Sequence, residues 1–331
     1  MCHVQLSKWY PVLLLAWSAL MQTGAALAQA VPPSFPSKPV TFISPLAPGG
    51  STEPEARLYI KKLTELTGQA FILDFKVGAG GTIGAGYVAK AVPDGTTLLI
   101  TTNAISSFPA LYKDLPFDPV KDLAPVSLMS EKVIVLVSRS DFPAKTMQEY
   151  IAYARANPGK INFATSGAGG GVHLAGAWLH SAIKTQATFI HYKGTGPIMP
   201  DLLSGRVDAT TSALVVVWPL IKSGKLRVLG ITGDKRSTLL PGVATVAEQG
   251  VPDFNYSNWV GILVPAATPP ALVDALNQVL MRIARMPDVA AMMEPDGNIM
   301  VGSTPAAFRQ FLGKEIDRWK KVVAEAHITL E

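Results

Sequence analysis

Three segments of this chain set glycines and hydroxyl residues between an apolar run and a helical pattern. They are Ala47-Pro48-Gly49-Gly50-Ser51-Thr52-Glu53, Gly78-Ala79-Gly80-Gly81-Thr82-Ile83-Gly84 and Thr165-Ser166-Gly167-Ala168-Gly169-Gly170-Gly171-Val172-His173. Where a strand turns into a helix, unpaired N–H groups and the helix dipole favour an anion, and glycine lets a ligand approach the backbone. That is the chemistry of capture. The alternative for each segment is a plain strand-to-helix turn.

The first segment carries features that oppose simple anion capture. Thr52-x-x-Glu55 fits a capping box, which would use the free donors. Pro54 has no N–H, and Glu53 adds a second negative charge. The second segment imitates a dinucleotide fingerprint, but Ile83 stands where G-x-G-x-x-G needs glycine, and Asp94 falls in a turn. Close packing of helix on sheet is the expected role there. The third segment offers two hydroxyls, Thr165 and Ser166, and several backbone donors. Ser166 is not in a G-x-S-x-G elbow, because Ala164 fills the first glycine position. A hydrolase using Ser166 and His173 is therefore the weakest reading. His173 and His180 lie seven apart, a spacing of no common metal motif, so no metal or other cofactor is expected. Tyr192 and Lys193, at the end of another apolar run, either line a cleft or cap a sheet; both readings stay open.

The elements that must position these loops alternate. Strands are expected at 40–43, 71–75, 97–101, 133–137, 161–164, 188–191, 207–209, 226–231 and 259–264. Helices are expected at 54–67, 83–91, 147–156, 172–183, 197–204, 271–284 and 305–326. Repeated β-α-β units predict an α/β protein with mostly parallel sheets flanked by helices. In the last helix Phe308, Phe311, Leu312, Trp319, Val322 and Val323 form one apolar stripe, read as core packing. Breaks in composition near Pro125 and Gly250 suggest that residues 29–125 and 250–331 form one lobe and 126–249 the other. Two crossings would act as the hinge. Open α/β sheets bind ligands at the carboxyl ends of their strands, which is where all three loops would lie.

Composition narrows the function classes. Among 331 residues, 16% are charged and 48% apolar, which favours a folded core over disorder. The formal net charge of +5 is spread without a basic stripe, so nucleic acid is not an expected partner. Lys8, the apolar run Val12 to Leu20 and the end Ala26-Leu27-Ala28 read as a secretory signal peptide, residues 1–28, cleaved after Ala28. Cleavage would remove the one cysteine, Cys2, and with it any disulfide. Stable membrane anchoring is not expected.

Beyond these loops, an ordered set of short motifs runs along the chain. Pro36-Ser37-Lys38-Pro39-Val40, Ala47-Pro48-Gly49-Gly50, Gly78 to Gly84 and Pro93-Asp94-Gly95 come first. Leu115 to Asp122, His191-Tyr192-Lys193-Gly194, Leu202 to Asp208, Gly224-Lys225-Leu226-Arg227, Pro241 to Gly250 and Ser303-Thr304-Pro305 follow. In this order they resemble Bug-type receptors, the extracytoplasmic solute receptors of tripartite tricarboxylate transporters. The resemblance covers essentially all of the chain after residue 28. It implies a two-lobe periplasmic-binding-protein fold, type II-like, that closes on a small organic acid. It also implies a monomer in the periplasm, with no enzymatic activity, that passes its ligand to two membrane subunits. A sensor that presents its closed form to a membrane kinase is the alternative.

Carried over by matching positions, the ligand-binding residues are Leu46, Gly49, Gly50, Ser51 and Thr52 from one lobe. Thr165, Ser166, Gly170, Gly171 and His173 come from the other. Asn103, Tyr192 and Ser212 complete the cleft from strand ends. Glu53 matches an acidic position and, if it faces the cleft, implies an amino or amide group on the ligand. Two departures bear on specificity. Gly169-Gly170-Gly171 replaces bulkier residues, and Ala209-Thr210-Thr211-Ser212-Ala213 replaces an aromatic-Asp-Asn stretch. Both imply a wider, less polar pocket, suited to an aromatic or bulkier acid better than to citrate.

Overall fold

The computed structural model describes residues 38–46, 48, 52–192, 195–294 and 297–328. The proposed signal peptide, Gly49, Gly50, Ser51 and Lys193 lie outside the described residues.

The strands are β1 Val40–Ser44, β2 Phe71–Phe75, β3 Thr97–Thr102, β4 Leu123–Lys132, β5 Ile134–Arg139, β6 Asn162–Thr165, β7 Thr188–His191, β8 Ala209–Ala213, β9 Leu226–Ile231, β10 Asn258–Pro265 and β11 Asn298–Met300. The helices are α1 Glu53–Thr67, α2 Thr82–Ala89, α3 Ala104–Leu111, α4 Met147–Ala156, α5 Gly171–Ala182, α6 Ile198–Leu203, α7 Leu214–Lys222, α8 Pro270–Ala284, α9 Pro287–Met293 and α10 Pro305–Glu325.

Two sheets organise them. One has the order β11-β4-β10-β3-β1-β2, the other β7-β6-β8-β5-β9. The α/β class holds, but the sheets are mixed. β1, β2 and β3 are parallel, as are β6, β7 and β8; β10 runs antiparallel to β3 and β4, and β5 to β8 and β9. The reason is topological. β5 and β10 each enter their sheet from the other one, through the edge where the parallel strands end, so they must run against them.

The first crossing falls at Val133, between β4 and β5, and not near Pro125. β4 is hidden in the sequence by its proline and polar residues. Pro125 pairs with Leu263 where the β4–β10 register shifts, and β11 covers only the far end of β4, from Ser130 to Lys132. A missing N–H is tolerated at such an irregular, half-covered position. The short elements β11, α3, α7 and α9 also lie outside the sequence expectation.

The core has more than one centre. Ile43, Leu99, Trp259, Phe308, Leu312 and Ile316 pack around the first sheet. Phe163, Leu174, Tyr150, Val251, Phe254, Tyr256, Trp319, Val322 and Val323 pack together at the second. The stripe on α10 therefore serves two cores, its first half one sheet and its second half the other. Residues after 250 do not all belong with the first sheet. Trp319 is 2% exposed and stacks edge-on with Trp178 of α5 and with Tyr256. α10 is thus a third connection beside the two chain crossings.

Side-chain caps fix two helix starts among the described residues. Thr146 and Thr304 accept hydrogen bonds from the N–H groups of Glu149 and Ala307, at 3.1 and 3.2 Å. In the second glycine loop, a Cβ on Gly84 would stand 2.7 Å from the Lys76 carbonyl and 2.9 Å from Pro45 Cα. That glycine allows helix α2 to seat against the β1 loop, as the packing reading expects.

Candidate functional site

The carboxyl ends of β1, β3, β6 and β8 carry most of the predicted site residues. At β1 the described part of the loop is Leu46, Pro48 and Thr52. Leu46 is held through its N–H and carbonyl by the Ser44 hydroxyl, at 3.3 and 3.2 Å. The capping box expected at Thr52 does not form. Thr52 is helical and gives no side-chain cap. Glu55 instead turns into the core, 1% exposed, where its Oε2 accepts from Ser130 Oγ at 2.9 Å. Burial raises its pKa, which favours the neutral acid. Glu53 lies beside Arg57, whose Nε donates to Oε1 at 2.7 Å. The start of α1 therefore carries one carboxylate paired along the helix surface and one carboxyl buried behind it.

At β3, Asn103 is 6% exposed and donates from Nδ2 to the Ser257 carbonyl at 3.1 Å. Its side chain also shares a hydrogen bond with Tyr256, whose hydroxyl burial pushes up to about 12. The third loop arrives from the second sheet at the same place. A Cβ on Gly171 would collide with the Tyr256 hydroxyl and stand 3.7 Å from Asn103 Nδ2. Glycine leaves room there for the Tyr256 hydroxyl and keeps the start of that helix beside Asn103 of the first sheet. Asn103 and Gly171, predicted on opposite lobes, are thus brought together.

Helix α5 begins at Gly171 with Gly170 as its cap residue. It has no side-chain cap and no acidic residue in its first turn. The Gly170 carbonyl accepts from Leu174, while Gly169 N–H donates to His173 Nδ1 at 3.0 Å. With Nδ1 accepting, a neutral His173 carries its proton on Nε2. Burial and the neighbouring His191 lower its pKa to about 4, so the ring is neutral near pH 7. Its ring lies 5.0 Å from Phe189 and 4.8 Å from His191. Among the described residues no hydrogen bond joins it to Ser166, and no carboxylate orients it. A nucleophile–base pair is not assembled among the described residues.

Thr165 is fully buried, with its hydroxyl 2.6 Å from His191 Nδ1. His191 is the residue sequence reasoning passed over. It ends β7 directly opposite Thr165, and its place at the strand end was the available signal. Tyr256, within the long connection 232–257, had no such signal. Ser166 sits beside Gly170, its Oγ 3.6 Å from where a Cβ would be. Ser212 is buried near the end of β8, the strand parallel to β6, with its hydroxyl on the Ala213 carbonyl at 3.3 Å. Tyr192, for which cleft lining and sheet capping were both open, donates from its hydroxyl to Asp201 Oδ2 at 2.8 Å, and Asp201 also pairs with Arg206.

Solved proteins that share this architecture include periplasmic solute receptors. Residues 56–328 match the family described as tripartite tricarboxylate transporter family receptor. BugT from Bordetella pertussis is 32% identical over 321 residues, 96% of this chain and 98% of that protein. The solved periplasmic binding protein BugD superposes with a TM-score of 0.76 at 31% identity, covering 90% of this chain and all of that one. An adipate-bound protein from R. palustris gives 0.78 at 31% identity, covering 89% and 99%. MatC from Rhodopseudomonas palustris, with bound malate, gives 0.76 at 32% identity, covering 87% and 100%. The two mixed sheets and the converging loops are those of a solute-binding protein and not of an enzyme, and the chain belongs to the tripartite tricarboxylate transporter receptor family, with Bug-type proteins among its relatives.

Proposed function

We propose that the chain is a periplasmic receptor that closes on a small organic acid and hands it to the membrane subunits of a tripartite transporter. The observation that carries this reading is the start of α5. It presents backbone donors with no side-chain cap and no acidic residue in its first turn, beside a neutral imidazole and opposite Asn103. A carboxylate there would gain the helix dipole and charge-assisted hydrogen bonds. A micromolar receptor needs only about −8 kcal/mol, within reach of a few such bonds and lobe closure.

The relatives with bound adipate and malate support a dicarboxylate class. The three glycines before His173 support a wide pocket, so the favoured ligand has an apolar or aromatic body between or beside its carboxylates. An ammonium group on the ligand is not favoured, because the Glu53 carboxylate is paired with Arg57. Calorimetry of the purified protein with adipate, malate, citrate and benzoate tests this. Binding of adipate or benzoate in preference to citrate is expected; tight citrate binding with neither of the others would refute it. Pull-down of the two membrane subunits with and without the bound acid tests delivery.

A further inference from the structure

A cavity of about 340 Å³ lies away from the α5 loop. It is lined by Val133, the segment Arg236 to Leu239, Ala290, Glu294 and the stretch Gly297 to Met300. Its place in the fold matters more than its size. Val133 is the first crossing between the sheets, and its N–H donates to the Gly297 carbonyl at 3.1 Å. Arg236 to Leu239 belongs to the second connection, just after β9. Ala290 lies on α9 and Asn298 to Met300 is β11, the edge strand of the first sheet. The walls therefore come from both sides of the hinge, and any rotation about the crossings must change the cavity.

The chemistry of the lining is specific. Val133, Leu239, Ala290, Ile299 and Met300 make most of it apolar. Arg236 supplies a cation, partly engaged by Glu248 through Nε at 2.9 Å, and Glu294 supplies an anion. Asn298 is 7% exposed and donates from Nδ2 to the Met293 carbonyl at 3.1 Å. Its Oδ1 is buried and meets no donor among the described residues. An unpaired buried acceptor is costly, and a small rotation of the amide toward the cavity would let a ligand donor relieve it. A volume of this order is in the range of small-molecule sites, about 300–1,000 Å³. A dicarboxylate would meet Glu294, and a bare hydrocarbon would leave Asn298 unsatisfied.

We infer that this hinge cavity is a second ligand site, for a zwitterion with an apolar body such as a free aliphatic or aromatic amino acid, and that its occupancy is coupled to lobe closure. The ammonium group meets Asn298 and Glu294, the carboxylate meets Arg236, and the side chain fills the apolar walls. Because the walls move with the lobes, a ligand that fits one state better shifts the closure equilibrium toward it. The coupling is reciprocal: leucine changes adipate affinity by the same factor as adipate changes leucine affinity.

The test is calorimetry of the purified protein with L-leucine, L-phenylalanine and glycine, with and without saturating adipate. Leucine or phenylalanine binds one per chain and glycine does not. Asn298→Leu and Arg236→Gln each weaken that binding by about tenfold or more, and Ala290→Trp fills the cavity and abolishes it. All three variants keep adipate binding but lose its coupling to leucine. If Ala290→Trp fails to fold, the other two variants decide. The proposal is overturned if neither amino acid binds at millimolar concentration. It is equally overturned if their binding survives the three variants and is competed by adipate, which places them in the main cleft. Adipate binding is read separately, so failure here leaves the receptor reading standing.

Discussion

Helices α1 and α5 both begin where a glycine-rich loop leaves a strand, and in sequence the two loops look like equivalent anion sites. Their first turns differ. α1 opens with Glu53, Pro54 and Glu55, so one donor is missing and two acidic groups stand at the positive end of the dipole. α5 opens with glycines, no acid and a neutral imidazole. The difference teaches that loop shape alone does not define an anion site. The residues of the first helical turn decide whether the donors remain available. Glu55 sharpens this, because it is neither a cap nor a ligand group but a buried hydrogen-bonding partner of Ser130.

The comparison can be broken first at Gly171. Replacing it with valine pushes a side chain into Tyr256 and Asn103, at the start of the favoured helix. Adipate affinity should fall by about a hundredfold, roughly 3 kcal/mol, while the equivalent change at Pro48 costs much less; equal losses would remove the asymmetry. Next comes His173→Phe, which keeps a ring but removes the Nε2 donor and the acceptor for Gly169. A loss of about tenfold by calorimetry is expected.

A smaller effect of opposite sign is expected at α1. Glu53→Gln removes a negative charge from the helix start and should tighten adipate binding by about two- to threefold, an effect that fades with salt. An unchanged affinity would place Glu53 outside the field of the ligand. The smallest effect is a null one. His173 stays neutral well below pH 6, so adipate affinity should be flat from pH 8 to pH 6. A rise as pH falls would show the ring gaining charge. Stability behaves differently. His173 and His180 both have pKa values lowered to about 4 by burial, below the 6.5 of the unfolded chain. Between those values the unfolded state binds more protons, so stability present above pH 6.5 is lost as pH falls toward 4. The melting temperature should drop across that window, and less so in His180→Gln.

Much of this was legible in the chain. The parallel strands β1, β2, β3 and β7 carry short apolar runs bounded by turn residues and sit within a residue or two of their expected places. β4 was not legible, because a proline and serines in a strand covered on both sides only at its far end give no periodic signal. The stripe on α10 was visible, but one helix face cannot reveal that Phe308 and Trp319 belong to different cores. In the candidate site, Asn103 and Gly171 are named from the resemblance to Bug-type receptors. Their contact through Tyr256 depends on how two sheets meet, which no local pattern encodes. Thr52-x-x-Glu55 matched the capping box in type and spacing, yet the burial of Glu55 against Ser130 overrode it.

The most direct test of the account is a crystal structure of the protein with the tightest-binding acid of the calorimetric panel. The account predicts one carboxylate within hydrogen-bonding distance of the N–H groups that open α5, at Gly171 to His173, with Asn103 facing it from the other sheet. A carboxylate held by the start of α1 alone, with the α5 donors left to solvent, would contradict it.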